Sequence, residues 1–141
     1  MRGSLIVGAL LVTLLLAACG GSAVEDAAES PAAVEQIEGT ELNRITLTAE
    51  AAKRLDVQTT AARSDGERTV IPYAAVLYDP DGQTWTYTSP KRLVFVREDI
   101  RVDRIDGDAA ILTAGPSAGT TVVTVGADEL WGVEYGGIEE D

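Results

Sequence analysis

Val70 to Ser89 reads V-I-P-Y-A-A-V-L-Y-D-P-D-G-Q-T-W-T-Y-T-S. Val76 and Tyr78 lead into Asp79-Pro80-Asp81-Gly82, and Trp85 and Tyr87 lead out. Asp-Gly after an alternating run predicts a β-hairpin, because Gly accepts positive φ and Asp bonds its own backbone. Pro72 has no N–H to give a ladder, which places it at a strand start or on an edge. The stretch therefore predicts two strands and a tight turn, and it sets the fold class of what surrounds it.

Upstream, Ile45 and Leu47 alternate with Arg44 and Thr46, which predicts a strand from Asn43. Thr48 reads as an N-cap for a helix over Ala49–Leu55, with Glu50 in the first turn and Lys53-Arg54 near the end, as the helix dipole favours. Val57–Arg63 is β-prone again, with Val57, Thr59 and Ala61 on one face, and Ser64-Asp65-Gly66 turns the chain. Downstream, Pro90-Lys91-Arg92 predicts a break. Leu93–Ile105 is a long β-prone run with Val94, Val96, Ile100 and Val102 on one parity and Phe95 on the other. Arg97-Glu98-Asp99 interrupts it, as a bulge or a bend would. Asp106-Gly107 predicts a second hairpin to Ala109–Thr113, with Ile111 and Leu112 as core candidates. Gly115–Gly119 reads as a loop, Thr121–Val125 as the last strand, Ala127–Trp131 as one helical turn, and 136–141 as a frayed acidic tail.

The other end of the chain carries an address. Met1-Arg2 precedes the apolar run Leu5–Leu16, too short for a membrane-spanning helix and typical of a signal peptide. Leu16-Ala17-Ala18-Cys19 resembles the lipobox of bacterial lipoproteins, which implies cleavage after residue 18 and acylation of Cys19, and so anchoring in a lipid bilayer. Gly20 to Leu42 is rich in Ala, Glu, Gly and Ser and poor in large apolar residues, and it reads as a tether with at most a short helix in Ala27–Gln36. As a flexible coil it would reach roughly 26 Å.

Composition narrows the chemistry. Cys19 is the only cysteine, so no disulfide is expected. From Cys19 on, ten basic and 23 acidic side chains leave a formal charge of −13. That balance opposes nucleic-acid binding. With no histidine and no second cysteine, the usual general base and thiol nucleophile are missing. Lys53 reads as a solvated charge and Ser89 as a turn residue. Thus no enzyme activity and no cofactor are expected. With Cys19 taken up by acylation, no soft-metal ligand is available in the mature part, and the carboxylates at Asp79, Asp81 and at Asp103, Asp106, Asp108 read as solvated turn residues, so no metal site is expected.

The stretch from Ile45 to Arg63, I-T-L-T-A-E-A-A-K-R-L-D-V-Q-T-T-A-A-R, then Ile71-Pro72 with Ala75-Val76, Phe95-Val96-Arg97, Ala114–Val123, Gly126 and Leu130, resembles in order the membrane-proximal domain of the membrane-fusion (periplasmic adaptor) proteins of bacterial efflux pumps. Asp56 stands where that family often has Gly, and Pro116 where it often has Leu. The lipoyl-like, helical-hairpin and β-barrel modules that a full adaptor inserts between its membrane-proximal segments have no counterpart between Arg63 and Val70. The resemblance implies a mainly β domain over 43–135, a small β-roll or β-barrel of six to seven mostly antiparallel strands with one short helix, preceded by a signal peptide (1–18) and a lipidated linker (19–42). It implies a lipid-anchored, extracytoplasmic accessory protein that docks on a membrane transporter permease of the resistance-nodulation-division or ABC type. The contact surface is expected at the 79–83 and 114–120 loops and the C-terminal segment, with Asp81, Gly82, Pro116, Trp131 and Tyr135 as candidate residues. The alternative is a lipoprotein that holds a small ligand or cell-wall material.

Overall fold

The computed structural model describes residues 29–136; the signal peptide, Cys19, the linker up to residue 28 and the tail from 137 lie outside them. The strands are β1 (Ala32–Gln36), β2 (Asn43–Leu47), β3 (Gln58–Ala61), β4 (Arg63–Asp65), β5 (Arg68–Pro72), β6 (Leu77–Tyr78), β7 (Thr84–Lys91), β8 (Val94–Asp106), β9 (Ala109–Ala114) and β10 (Thr121–Val125). The helices are α1 (Ala49–Arg54) and α2 (Ala127–Gly136).

The protein is mainly β, a nearly closed antiparallel barrel. Its wall runs β3-β10-β7-β8-β9-β5-β4. The two strands at the ends of that path are neighbours in the chain, separated only by Ala62. A single bent segment therefore supplies both edges. The corner is fixed by backbone bonds from Ala62 N to Thr120 O (2.8 Å) and from Gly119 N to Ala62 O (2.8 Å), and Ala62 is buried.

Two apolar cores lie on opposite faces of this wall. Inside the barrel, Ala62, Ile71, Ala75, Ile100, Ala110, Leu112 and Val122 pack together. Outside it, Leu77, Tyr87, Phe95 and Val123 meet Ile45, Leu47, Ala51, Ala127 and Leu130 from the β1–β2 hairpin and the two helices. Val122 and Val123 show the division, since neighbours in a strand point to opposite faces and each enters a different core. This explains why strict alternation misleads in β8. Phe95 and Ile100 have opposite parity, yet both are buried, because the strand is covered on both faces.

The hairpin around Asp79–Gly82 forms as predicted, with Leu77 opposite Trp85 and Tyr78 opposite Thr84. Asp79 Oδ1 accepts from the backbone N–H of Asp81 (3.0 Å) and Gln83 (2.8 Å), and Gly82 takes a φ of 80°. The first part of that stretch departs from expectation. Pro72 ends a strand, β5, which pairs with β9 rather than with β7. Tyr73–Ala75 then make a 3₁₀ turn that carries the chain across to β6. The expected break at Pro90-Lys91-Arg92 is also not one. β7 runs to Lys91 and absorbs the proline in a register shift between Thr88 and Lys91.

Thr48 caps α1, its Oγ1 accepting from Ala51 N at 3.1 Å. Asp56 follows with a φ of 51°. The left-handed region suits Gly, and Asp is among the few other residues that tolerate it, so the residue type at this position has a backbone reason. The domain also starts earlier than expected, and the linker assigned to 19–42 must be shortened. Ala32–Gln36 is a strand, paired residue by residue with β2 from Ala32 opposite Leu47 to Gln36 opposite Asn43. The helix considered for Ala27–Gln36 is not formed there. The sequence hides this strand because Ala32 is its one fully buried residue and Val34 alone joins it, half-buried, against the outer core. At the other end α2 is ten residues long, not one turn, and includes Gly136, which had been assigned to the tail.

Candidate functional site

Trp85 points from β7 to the outer face of the wall, beside Arg97 of β8. The Arg97 guanidinium sits 4.0 Å from the Trp85 ring centroid, 5.0 Å from that of Trp131 and 5.3 Å from that of Tyr135. Trp131 and Tyr135 are four residues apart on α2, so they share a helix face, and their rings are 4.7 Å apart. Three aromatic rings thus enclose one cation, and α2 brings two of them. Cation–π contacts of this kind are worth about 0.5–2 kcal/mol each, most when the cation is desolvated.

Arg97 is buried, its side chain only 7% exposed. Its Nε lies 3.4 Å from Glu134 Oε2, an ion pair whose geometry is not that of a hydrogen bond. Glu134, itself fully buried, is held by better-placed donors. The Tyr87 hydroxyl donates to its Oε2, and Asn43 Nδ2 donates to its Oε1 at 3.4 Å. Burial and the Glu134 carboxylate push the Tyr87 hydroxyl well above the usual tyrosine range. Four elements (β2, β7, β8 and α2) meet at this one carboxylate.

A cleft of about 890 Å³ opens beside this network, lined by Glu41, Leu42, Gln83, Trp85, Glu98 and Tyr135 among others. Tyr135 stands at its rim, 55% exposed. The turn Asp79–Gln83 reaches the same cleft, because Asp79 Oδ2 accepts from Trp85 Nε1 at 3.0 Å. That bond, more than the backbone bonds of the turn, holds the Asp79 carboxyl below its usual range. Glu98 lines the cleft half-buried, and burial raises its carboxyl.

The structure therefore joins four of the five candidate contact residues to one region. Asp81 and Gly82 are exposed in the turn whose Asp79 anchors Trp85, and Trp131 and Tyr135 flank Arg97. Pro116 does not belong with them. It is buried, and its loop is bonded to the Ala62 corner. Of that loop Pro116 is the buried residue, while Ser117, Ala118 and Gly119 are exposed. The sequence reading missed Arg97 and Glu134, the residues that organise the region. Arg97 looked like an interruption of a strand, and nothing local pairs it with Glu134. Asp79 is spent on its own turn and Trp85, while Asp103 faces Arg68 (3.5 Å) and Arg104 (3.2 Å). Among the described residues no group of three or more His, Cys, Asp or Glu side chains is placed to hold a metal ion. Comparison with protein-family models, curated proteins and solved structures finds no match to this chain.

Proposed function

We propose that this protein is a non-enzymatic, lipid-anchored extracytoplasmic accessory protein that docks on a membrane transporter permease, of the resistance-nodulation-division or ABC type, as the likeness to efflux-pump adaptors implies. The observation that carries the reading is the convergence of the 79–83 turn, Trp85 and the exposed end of α2 on a single cleft. Aromatic rings at a cleft with a polar rim are the usual anchor of a protein contact. The barrel closed by sequence-distant segments, β3 with β10, is also what the likeness implies. Acylation at Cys19 supplies the membrane attachment, and confinement to a surface raises the effective concentration of a weak docking contact.

Crosslinking in cells, followed by identification of what co-purifies, tests this. A permease recovered with the wild type and depleted with Cys19→Ser supports docking through a lipid anchor. Recovery of no membrane protein from abundant, folded protein sinks it. A second reading, a lipoprotein that holds a small apolar ligand, is favoured by one observation. An apolar groove of about 450 Å³ runs between α1, β1 and α2, with Arg54 and Glu129 beside it. Ligand-dependent thermal stabilisation without a co-purified permease would select that reading.

A further inference from the structure

β8 changes partner along its length. One edge pairs with β7 from Val94 to Ile100. The other edge pairs with β2 through Val94–Val96, and β8 joins β9 only from Arg101 onward. Over Arg97–Ile100 that second edge faces no strand among the described residues. The β2 chain diverges here, and Glu41 and Leu42 form the far wall of the cleft. The gap is four residues, about 13 Å of strand. An unpaired edge is a ready template for another extended chain.

The charges around the gap choose the occupant. Arg97 is answered within the protein by Glu134 and the aromatic rings. Glu41, Glu98 and Asp99 line the cleft and form no ion pair among the described residues. Glu98 lies across from Thr86, half-buried and without a cation. Its carboxyl is already raised by that burial, as expected of a carboxylate short of a positive neighbour. A second copy of this chain, with a net charge of −12, would be repelled. A basic segment would not.

We propose that the cleft accepts a short, extended, basic segment of the partner protein, added as a strand to the free edge of β8 at Arg97–Ile100, with its cations on Glu98 and Asp99 and its apolar side chains against Trp85 and Tyr135. This rests on the docking reading for the partner's identity and adds the chemistry of the docking segment. Cross-strand pairs supply specificity, and alternation in the added strand puts successive side chains on opposite faces.

The test uses the full chain in detergent and a blocked hexapeptide with two adjacent lysines flanked by valines, whose cations point to opposite faces as Glu98 and Asp99 do, with the same peptide carrying glutamates in place of the lysines as its counterpart. The basic peptide is expected to bind saturably, changing tryptophan fluorescence and slowing amide exchange within 97–100, and the acidic one at least tenfold more weakly. The pair Glu98→Gln, Asp99→Asn should weaken binding at least tenfold. The pair Glu67→Gln, Asp108→Asn, exposed and outside the cleft, should leave it unchanged. Equal losses in both pairs, equal binding of both peptides, or unchanged exchange at 97–100 would overturn the proposal. A permease co-purified undiminished from cells carrying Glu98→Gln and Asp99→Asn overturns the strand site and leaves docking intact. Peptide binding as described with no permease recovered supports the strand site and removes only the docking reading.

Discussion

The Tyr87 hydroxyl donates to Glu134, and this contact ties the barrel wall to the end of α2 across 47 positions of sequence. Both groups are buried, and the same carboxylate faces Arg97. A buried charge left without its partner is costly, so the three residues stand or fall together.

Glu134→Ala strands Arg97 without its counter-charge. The expected loss is about 3–5 kcal/mol in urea unfolding. Tyr87→Phe removes one donor and leaves the ion pair, and should cost about 1–3 kcal/mol. If Glu134→Ala costs no more than an exposed substitution such as Glu67→Ala, the network does not hold α2 in place.

Alkaline pH should expose the same contact. Tyr87 is raised in the folded protein above the value of about 10 that it has in an unfolded chain. The folded state therefore keeps a proton that the unfolded state loses. This contribution to stability is complete below about pH 10 and is lost as pH rises beyond it. In Tyr87→Phe that part of the alkaline decline should vanish. A tyrosinate absorbance titration should show one residue that ionises only on unfolding.

Gly115 is held at a φ of 142°, and a Cβ there would meet Ile100 Cγ2 at 2.8 Å and Leu112 Cδ1 at 3.2 Å. Both contacts belong to the inner core. Gly115→Ala is expected to cost about 2–4 kcal/mol, combining backbone strain with overpacking. Gly66→Ala, also at positive φ but in open space, should cost about 1 kcal/mol. Equal thermal shifts in the two variants would show that the inner core yields at Ile100.

At Asp56 the backbone carries the effect. Asp56→Ala puts a residue without local hydrogen bonding in the left-handed region and should cost about 1 kcal/mol. Asp56→Gly loses the bond that Gln58 Nε2 donates to Asp56 Oδ2 (3.0 Å) but removes the strain. It should stay within about 0.5 kcal/mol of wild type by thermal unfolding.

Local signals in the sequence were good guides to the turns and to the cap. Asp79–Gly82, Asp106-Gly107 and Thr48 act through residues within four positions of themselves, and each forms as read. Ile111 and Leu112 are both buried, as expected. Pairing was harder to read. Pro72 closes β5 because β9 lies beside it, and β9 is distant in sequence. β1 carries almost no apolar signal, since β2 supplies its hydrogen bonds and Ala32 is its one buried residue. α2 contains Gly132 and ends at Gly136, which disguised its length. Its anchors, Ala127, Leu130 and Glu134, make sense only once the outer core is assembled. The candidate cleft followed the same rule. The turn and the aromatic pair on α2 were visible, but the buried Arg97–Glu134 pair that brings them together required the fold.

The bend at Ala62 also dictates an order of assembly. β7, β8 and β9 find partners among near neighbours in the chain, as β5 does in β4. β3 has only β10 to pair with, Ala61 facing Thr121. A polypeptide leaving the ribosome N-terminus first thus presents β3 with no partner until Thr121–Val125 has been made. Closure must wait for β10, the last strand among the described residues, with the entropy of that long loop still to be met. A chain stopped at Thr120 would hold its meander but keep an open seam, with β3 bare as a template for a neighbouring chain. Thr121–Val125 thus serves as the latch of the whole barrel.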